Sequence, residues 1–109
     1  MSSYFVDKSS CVHHTIFPGV DIYTAHTPRL MISVVDLQPH AVVEDHSHPH
    51  DQMGILLEGD LEFTIGGERR KLSPGQMWRI PGGIQHRAVA GPRGAKAVDV
   101  FHPVREEYT

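Results

Sequence analysis

The stretch LEFTIGGERRKL, residues 61–72, is the part of the sequence that most directly indicates the fold. Apolar and polar residues alternate from position 61 to 65, which is the period of a strand with one buried face. Two glycines follow at once, and a glycine pair between two such segments is typical of a two-residue hairpin turn. Residues 68–72 then supply the return strand. The stretch therefore predicts an antiparallel β-hairpin.

Short segments of the same kind lie on both sides of this hairpin, separated by turns that contain glycine and proline. They read LMISVVDL (30–37), MWRI (77–80), HRAVA (86–90) and AVDVF (97–101). The β-branched, apolar run 30–37 is typical of a strand that is covered on both faces. No segment carries a sustained helical period with caps. The sequence thus predicts an all-β fold, either a sandwich or a barrel.

Length and charge restrict the class of protein. The 109 residues suffice for one packed domain, with 39% hydrophobic residues and a formal net charge of −3. Acidic and basic residues are interspersed, so we expect neither nucleic acid nor a membrane surface as a partner. No run approaches the roughly 18 apolar residues of a membrane span, and the N-terminus lacks a signal-peptide pattern. Cys11 is the single cysteine, which excludes an intrachain disulfide, and we expect a cytoplasmic protein.

Three of the nine histidines lie in HSHPHDQMG, residues 46–54. Residues two apart on a strand share a face, so His46 and His48 are predicted to point the same way. A corner would then turn the chain, and a hairpin would return the amide oxygen of Gln52 towards the two imidazoles. His86, at the start of a strand after a glycine turn, is the candidate for a further ligand. Three imidazole nitrogens and one oxygen suit a divalent first-row metal ion with open positions.

The sequence predicts one such ion per chain, and Zn, Ni, Fe and Mn all fit because their preferences overlap at a histidine-rich site. A glutamate ligand would reduce the charge of the complex, whereas Gln52 leaves the full charge of the dication in place. That favours an anionic substrate at the open positions. The alternative is a former metal site that has lost its metal and only binds a ligand. Whether His50, which follows Pro49 at the corner, joins the metal shell is left open.

The spacing around these histidines resembles the two signature motifs of the cupin superfamily. The first motif has two histidines, a glutamate and a glycine, and matches His46, His48, Gln52 and Gly59. The second has two glycines, a proline and a histidine, and matches Gly75, Pro81, Gly83 and His86. Fifteen residues separate the two motifs, the minimal spacing in cupins. The match departs from the pattern where His40 replaces a glycine, Gln52 a glutamate and Ala90 an asparagine.

The resemblance implies a double-stranded β-helix, or jelly-roll barrel, in a single cupin domain over residues 1–109. It places the barrel core at about residues 30–102 and the N-terminal strands, within residues 1–29, at the edge of a dimer. Exposed apolar strands, including 30–37, support the same expectation of a homodimer.

A narrower resemblance involves the C-terminal segment VDVFHPVREEY (98–108), together with HSHPHDQ and the IGGE turn. These stretches are similar to small single-domain cupins of the KdgF type, which act in pectin degradation. The resemblance implies a metal-dependent enzyme that converts 4,5-unsaturated monouronates into linear ketonised products. It implies metal ligands at His46, His48, Gln52 and His86. It implies catalytic residues at Asp99, Phe101 and Arg105.

The residue types suit these roles. Asp99 and Phe101 share one face of the last strand by parity, so a carboxylate near a dication could act as a general acid or base beside an aromatic wall. Arg105 could hold a carboxylate through two parallel hydrogen bonds. The structural alternatives are a hydrogen-bonding residue at a strand end for Asp99 and an exposed charge, paired with Glu106 or Glu107, for Arg105.

Several functions stay open at this stage. The leading one is the KdgF-like linearisation and isomerisation of a small oxygenated anion, and the alternative is a metal-dependent polyketide cyclase that closes rings by an aldol-type reaction. A non-catalytic metal- or ligand-binding module and a dioxygenase are further possibilities. An arginine in the pocket beside Asp99 would favour the uronate. A larger apolar pocket lined by Met53, Trp78 and Phe101 would favour the polyketide.

Overall fold

Eight β-strands and two short 3₁₀-helices make up the fold, and the computed structural model describes residues 3–109. The strands are β1 (Val12–Phe17), β2 (Val20–His26), β3 (Met31–Leu37), β4 (Val42–His46), β5 (Asp51–Ile65), β6 (Glu68–Leu72), β7 (Met77–Ile80) and β8 (His86–His102). The 3₁₀-helices are Lys8–Ser10 and Glu106–Tyr108. Neither of them, nor any other helix within residues 3–109, has the length and apolar character needed to cross a membrane. The prediction of an all-β fold is confirmed.

Strands β5 and β6 form the hairpin predicted for residues 61–72. The strands pair up to Ile65 and Glu68, and the two glycines between them have φ angles of 55° and 85°. Positive φ at both turn residues matches the right-handed twist of the strands, and glycine adopts it without a steric cost. Leu61 and Phe63 are buried on the inner face, as their alternation predicts.

The two longest strands, β5 and β8, form one antiparallel ladder from the Asp51–His102 pair to the Ile65–His86 pair. Each half of this ladder has different neighbours. In the first half β8 pairs with β3 and β5 pairs with β7, whereas in the second half β8 pairs with β4 and β5 pairs with β6. All eight strands are hydrogen-bonded in one continuous sheet, and the ladder joins its two halves, which we call the two sheets of the barrel and which enclose the core between them as in a jelly-roll barrel.

The ladder changes register where glycines of the two strands meet. Gly59 has a φ angle of 86°, and a Cβ added there would lie 2.0 Å from the carbonyl oxygen of Gly94. Register shifts flank this point, between Leu56 and Glu58 and between Gly59 and Leu61. A side chain at position 59 would collide with backbone, so the last glycine of the first motif is what lets β5 pass between the sheets.

Apolar side chains fill most of the space between the sheets. The most deeply buried ones are Val20, Ile22, Leu56, Ile80, Ala90 and Ala97. A few polar residues are buried with them, namely Thr24, Ser33, His48, Gln52, His86 and Asp99. Four of these six polar residues are ones that the sequence marks as candidate site residues. Since a buried polar group is costly without a partner, their place in the barrel points to a functional site.

The prediction that residues 30–37 are covered on both faces is wrong for the single chain. Side chains of β3 alternate, so that Ser33 is buried while Ile32 is 47% exposed. On the same side, Ile32 pairs with Val100 and Val100 pairs with Met53, which are 40% and 57% exposed. We call this surface the outer apolar face; it comprises Ile32, Val34, Met53, Ile55, Met77, Val98 and Val100. Met53 therefore points away from the barrel interior.

His40 occupies the position that is a glycine in the first motif, and it keeps the backbone conformation of a glycine. Its φ angle is 65°, the one positive value at a non-glycine residue within the described part of the chain. A left-handed conformation costs an L-residue with a side chain roughly 1–2 kcal/mol, because Cβ crowds the following carbonyl. The side chain of His40 is exposed. The turn geometry is thus retained at a cost in backbone strain.

Replacing His40 tests this interpretation. We expect His40→Gly to be about 1 kcal/mol more stable than His40→Ala, because both lose the imidazole and only alanine retains the strained Cβ. Urea unfolding of both variants and the parent, followed by far-ultraviolet circular dichroism, measures the difference. Equal stabilities for the two variants would show that position 40 carries no strain.

Candidate metal centre

Three histidines converge at one end of the barrel. His46 is the last residue of β4 and pairs with His86, the first residue of β8, while His48 lies in the turn between β4 and β5. The ring centroids of His46 and His86 are 4.2 Å apart, and that of His48 is 5.0 Å from His86. One ring nitrogen from each of the three lies within 4.8 Å of the others. This is a compact set of nitrogen donors.

Backbone carbonyls fix the orientation of all three rings. The Nδ1 atom of His46 is 2.8 Å from the carbonyl oxygen of Glu44, and the Nδ1 atom of His48 is 3.0 Å from that of His50. The Nδ1 atom of His86 lies 2.9 Å from the carbonyl oxygen of Ile84. A carbonyl oxygen can only accept a hydrogen bond, so each Nδ1 carries the hydrogen and each Nε2 presents its lone pair.

Glycines of the second motif hold the turn that carries His48. The amide of Gly83 donates a hydrogen bond of 2.8 Å to the carbonyl oxygen of His48, and the amide of Gly82 donates one of 2.8 Å to the carboxylate of Asp51. A Cβ on Gly82 would lie 2.2 Å from the carbonyl oxygen of Pro49. The loop before His86 and the turn around His48 are therefore packed directly against each other.

Gln52 reaches the histidines by a different route from the one predicted. Strands β4 and β5 do not form a hairpin; both pair with β8, and Gln52 stands opposite Phe101 in the other sheet. Its side chain extends across the interior, and its Oε1 atom lies 3.0 Å from Nε2 of His48. The predicted proximity is observed, but the predicted hairpin is wrong because β8 lies between the two strands.

The parity argument for His48 is also wrong, although His46 and His48 do lie together. Strand β4 ends at His46, and residues 47–50 form a bent segment outside the strands. The turn carries the ring of His48 to within 5.7 Å of that of His46. His50 is not a member of the cluster. Its carbonyl group accepts the hydrogen bond from His48, and its ring lies edge-on to that of His48 with the centroids 5.5 Å apart.

Asp99 lies beside Gln52 and is buried. Its carboxylate accepts a hydrogen bond of 2.8 Å from the indole N–H of Trp78, and a hydrogen-bond interaction with the side chain of Gln52 lowers its pKa. Burial raises the pKa of Asp99 to about 6, and these hydrogen bonds and the positive charge of Arg105 limit the rise. Asp99 lies three residues before the end of β8, so it does not terminate the strand, while the hydrogen-bonding role that the alternative gave it is present.

Arg105 also faces the interior. Its side chain is only 12% exposed, and its guanidinium carbon lies 4.5 Å from the ring centre of Tyr108 and 5.3 Å from that of Phe101. The Nε atom donates a hydrogen bond of 2.7 Å to Glu107. The pairing with Glu107 that the alternative foresaw is present, but Arg105 is not an exposed tail charge, and its remaining N–H groups are available to the cavity.

Comparison with known proteins agrees with this geometry. The Cupin_2 cupin-domain profile matches residues 33–101. The pectin degradation protein KdgF of Dickeya dadantii (strain 3937) is 30% identical over 80 residues, which make up 72% of this chain and 73% of KdgF. The chain belongs to the cupin family.

Two further relatives refine the comparison. The structure of KdgF from a Halomonas species superimposes on this cupin with a TM-score of 0.88 and 33% identity, and the match covers the whole of both chains. Dimethylsulfoniopropionate lyase DddW of Ruegeria pomeroyi (strain ATCC 700808 / DSM 15171 / DSS-3) is 30% identical over 74 residues. The chain spans about half of the length of DddW, 49%, whereas it matches the Halomonas KdgF structure from end to end.

The histidine cluster of this cupin suits a divalent metal ion. The Nε2 atom of His86 is buried and has no hydrogen-bond partner within residues 3–109. Burial lowers the pKa of His86 to about 4 and that of His48 below its ordinary value, which keeps both imidazoles neutral and able to donate lone pairs. Two ligands about 2.1 Å from one ion, and at right angles, are about 3.0 Å apart. The Nε2 atom of His48 and the oxygen of Gln52 have this separation.

A cavity of about 300 Å³ opens next to the cluster. Its wall includes His46, Gln52, His86, Asp99, Phe101 and Arg105, and it also includes Ser33, Trp78 and Tyr108. The sequence indicated Trp78 as a wall residue of a possible larger apolar pocket, but it did not indicate Ser33 or Tyr108. No local pattern marks those two, because Ser33 reads as an ordinary strand residue and Tyr108 reaches the cavity only through the fold of the C-terminus. Met53, His102 and Gln85 are exposed and lie outside the wall.

Removal of one ligand should abolish stable metal retention. We expect His86→Ala, purified after growth with added metal, to fall from about one divalent ion per chain to less than about a tenth, because two imidazoles remain in place of three. Inductively coupled plasma mass spectrometry of the dialysed protein gives the content. His102→Ala removes an exposed imidazole at the opposite end of β8 from His86 and is the control. Full occupancy of His86→Ala would show that the cluster is not the metal site.

Proposed function

We propose that this cupin is a metal-dependent isomerase that converts 4,5-unsaturated monouronates into their linear keto forms. The proposal carries the role of the KdgF relatives over to this chain, and the site of this chain supports it. The single observation behind it is a largely buried arginine, Arg105, in the same cavity as a buried carboxyl group and three convergent imidazoles. A substrate that carries one carboxylate beside several oxygens fits this combination.

Arg105 would bind the substrate carboxylate. Its Nε–H is held by Glu107 and its planar group lies against Tyr108, so rotation of the guanidinium is restricted. The two terminal amino groups can then donate parallel hydrogen bonds to a carboxylate. Because the guanidinium is mostly removed from water, such a pair is stronger than it would be on the surface.

Asp99 would move the proton. In the conversion, the ring bond between C1 and its oxygen breaks, the hydroxyl at C1 loses a proton to become an aldehyde, and C4 gains a proton as the enol becomes a ketone. The reaction is an isomerisation, so one proton travels and nothing else is consumed. Asp99 supplies a carboxyl group to the cavity wall beside Gln52 and would transfer this proton. Phe101 also lines the wall, and its ring centre lies 5.8 Å from that of His48.

His46, His48, His86 and the amide oxygen of Gln52 would hold the ion. When bound, a divalent ion supplies Lewis-acid polarisation of a substrate oxygen. Zinc, nickel, iron and manganese all fit three nitrogens and an oxygen.

The cavity favours the uronate over a polyketide. Its volume of about 300 Å³ lies at the lower end of the range for small-molecule pockets, which suits one sugar ring. Of the three side chains that would enlarge an apolar pocket, Trp78 and Phe101 line the wall but Met53 lies on the outer apolar face. A charged arginine in the wall opposes a long apolar chain.

Turnover of an unsaturated monouronate tests the proposal. We expect metal-loaded protein to speed the loss of the alkene ultraviolet absorbance above its spontaneous rate, and we expect His48→Ala to abolish the gain. Arg105→Lys should lower kcat/KM by roughly 10- to 100-fold, mainly through KM, because a lysine cannot form the two parallel hydrogen bonds.

Arg87→Lys, outside the cavity, is the matched control and should leave kcat/KM unchanged. Dimethylsulfoniopropionate, the substrate in the name of DddW, serves as a comparison substrate that also carries a carboxylate. A rate no greater than the spontaneous one, with metal bound, would refute the proposed function.

We further propose that the cupin is a homodimer in which the outer apolar face meets the same face of a second copy, with the N-terminal strands β1 and β2 at the edge. The face presents rows of apolar side chains from neighbouring strands, including Met77 at 69% and Met53 at 57% exposure. Contiguous apolar patches of this kind are unfavourable in water, and burial against the same face of a second copy about a two-fold axis would remove them from water. Arg79, the exposed register partner of Met53, lies on the same side, on the outer strand β7.

A charge on this face should separate the copies. We expect Val100→Glu to shift the protein from dimer to monomer, because two buried glutamates would face each other near the two-fold axis. Ser73→Glu adds the same charge at an exposed position outside the face and should leave the dimer intact. Sedimentation velocity distinguishes the two states, and a parent protein that sediments as a monomer would refute the dimer.

A further inference from the structure

The side-chain amide of Gln52 has two unlike ends, and only one of them can bind a cation. Its oxygen carries lone pairs, whereas its NH₂ group carries only hydrogens. The oxygen lies 3.0 Å from Nε2 of His48, which also presents a lone pair because its Nδ1 atom donates to a carbonyl. Two acceptors at this distance attract each other only with a metal ion or a proton between them. Reversal of the amide would place hydrogens at the metal site, so something must fix its direction.

The carboxylate of Asp99 is in a position to fix the direction of the Gln52 amide. This carboxylate can only accept hydrogen bonds. It accepts one of 2.8 Å from the indole N–H of Trp78, and a hydrogen-bond interaction with the side chain of Gln52, whose NH₂ group is the end that can donate, lowers its pKa. An amide that donates to Asp99 on one side must turn its oxygen to the other side, where the histidines lie. Gln52 and Asp99 are both more than nine-tenths buried, so water cannot readily replace either bond.

The bond between Trp78 and Asp99 depends on the absence of a side chain between them. Gly54 on β5 is the register partner of Trp78 on β7 and also of Asp99 on β8. A Cβ on Gly54 would lie 2.3 Å from Oδ1 of Asp99 and 2.3 Å from Nε1 of Trp78. Side chains of the two outer strands therefore meet above the middle strand only because residue 54 is glycine.

We propose that Asp99, held by Trp78 across Gly54, is a positioning residue that directs the amide oxygen of Gln52 towards the three histidines. This rests on the metal site of the proposed function, though not on its substrate. It assigns roles to Trp78 and Gly54, and gives Asp99 a task in addition to any proton transfer. The chain of contacts runs from β7 over β5 to β8 and ends at the metal-binding atoms.

A double-mutant cycle between positions 52 and 99 tests the proposal. In Asp99→Asn the new NH₂ group faces that of Gln52, and relief of this clash reverses the Gln52 amide. We expect the Zn²⁺ dissociation constant, measured by competition with a chromophoric chelator, to rise about 10- to 100-fold. In the Gln52→Glu background both ends of the side chain are oxygen, so reversal has no effect. There Asp99→Asn should change the constant by less than about threefold.

A spectroscopic measurement accompanies the cycle. The visible absorption of bound Co²⁺ reports the ligand set, and we expect Asp99→Asn to change it with Gln52 present and to leave it unchanged with Gln52→Glu. Trp78→Phe retains the packing of a large ring and removes the N–H, so it should weaken Zn²⁺ binding in the Gln52 protein but not in the Gln52→Glu protein. Thermal unfolding by circular dichroism checks that each variant is folded, and Trp78→Phe carries the test if Asp99→Asn does not fold.

The outcomes separate the two proposals. An Asp99→Asn penalty that is equal in both backgrounds would overturn the inference, since it would show that Asp99 supports the site without directing the amide. An unchanged affinity in the Asp99→Asn protein would overturn it as well. If the cycle shows the expected coupling while no unsaturated monouronate is converted, the positioning role stands and the proposed substrate fails. A parent protein that binds neither Zn²⁺ nor Co²⁺ would overturn both.

Discussion

The continuous antiparallel ladder between β5 and β8 is the constraint on which the rest of the structure depends. It runs from Asp51 opposite His102 to Ile65 opposite His86, and it contributes to both sheets. Four of the candidate site residues lie on these two strands, namely Gln52, His86, Asp99 and Phe101. Since ladder register fixes which residues stand opposite each other, a slip by one residue would send these side chains to the outer surface. Fold and site are therefore specified by the same hydrogen bonds.

The corner of the ladder shows how tightly this register is held. Gly59 packs against the backbone of Gly94, and a Cβ on Gly94 would in turn lie 2.7 Å from the carbonyl oxygen of Leu37. The second half of the ladder then brings His86 beside His46, while the first half keeps Asp99 and Gln52 at the other wall of the cavity. The site is thus assembled from two sheets, which explains why its residues come from both motifs and from the end of the chain.

Much of the fold, and less of the site geometry, could be predicted from the sequence. The hairpin at residues 61–72 was predictable because alternation and the glycine pair are local signals. The proximity of His46, His48 and Gln52 was predicted for incorrect reasons, since it depends on where β4 ends and on β8 lying between β4 and β5. These are properties of long-range pairing, which local periodicity does not contain.

Other features were invisible for the same physical reason. Trp78 and Gly54 are linked to Asp99 only through the register of three neighbouring strands, and nothing in the segment MWRI or in MGILL marks that relation. The exposure of Ile32 was misjudged because a β-branched run is equally consistent with a face buried inside one chain and a face buried between two chains. The composition of a segment shows that its residues are apolar, but not whether another part of the same chain or a second chain covers them.

The charge of the site also differs from what the ligand types alone suggest. With three neutral imidazoles and a neutral amide, the ligand atoms leave the charge of a dication uncompensated. Asp99 lies one hydrogen bond beyond Gln52, so its negative charge is placed behind the ligand rather than on it. A dication at that distance favours the ionised form of Asp99 and opposes the burial that raises its pKa to about 6. A carboxylate so placed moderates the field without occupying a coordination position. A bound dication would keep its Lewis acidity, and its remaining positive charge, together with that of Arg105, would favour an anion in the cavity.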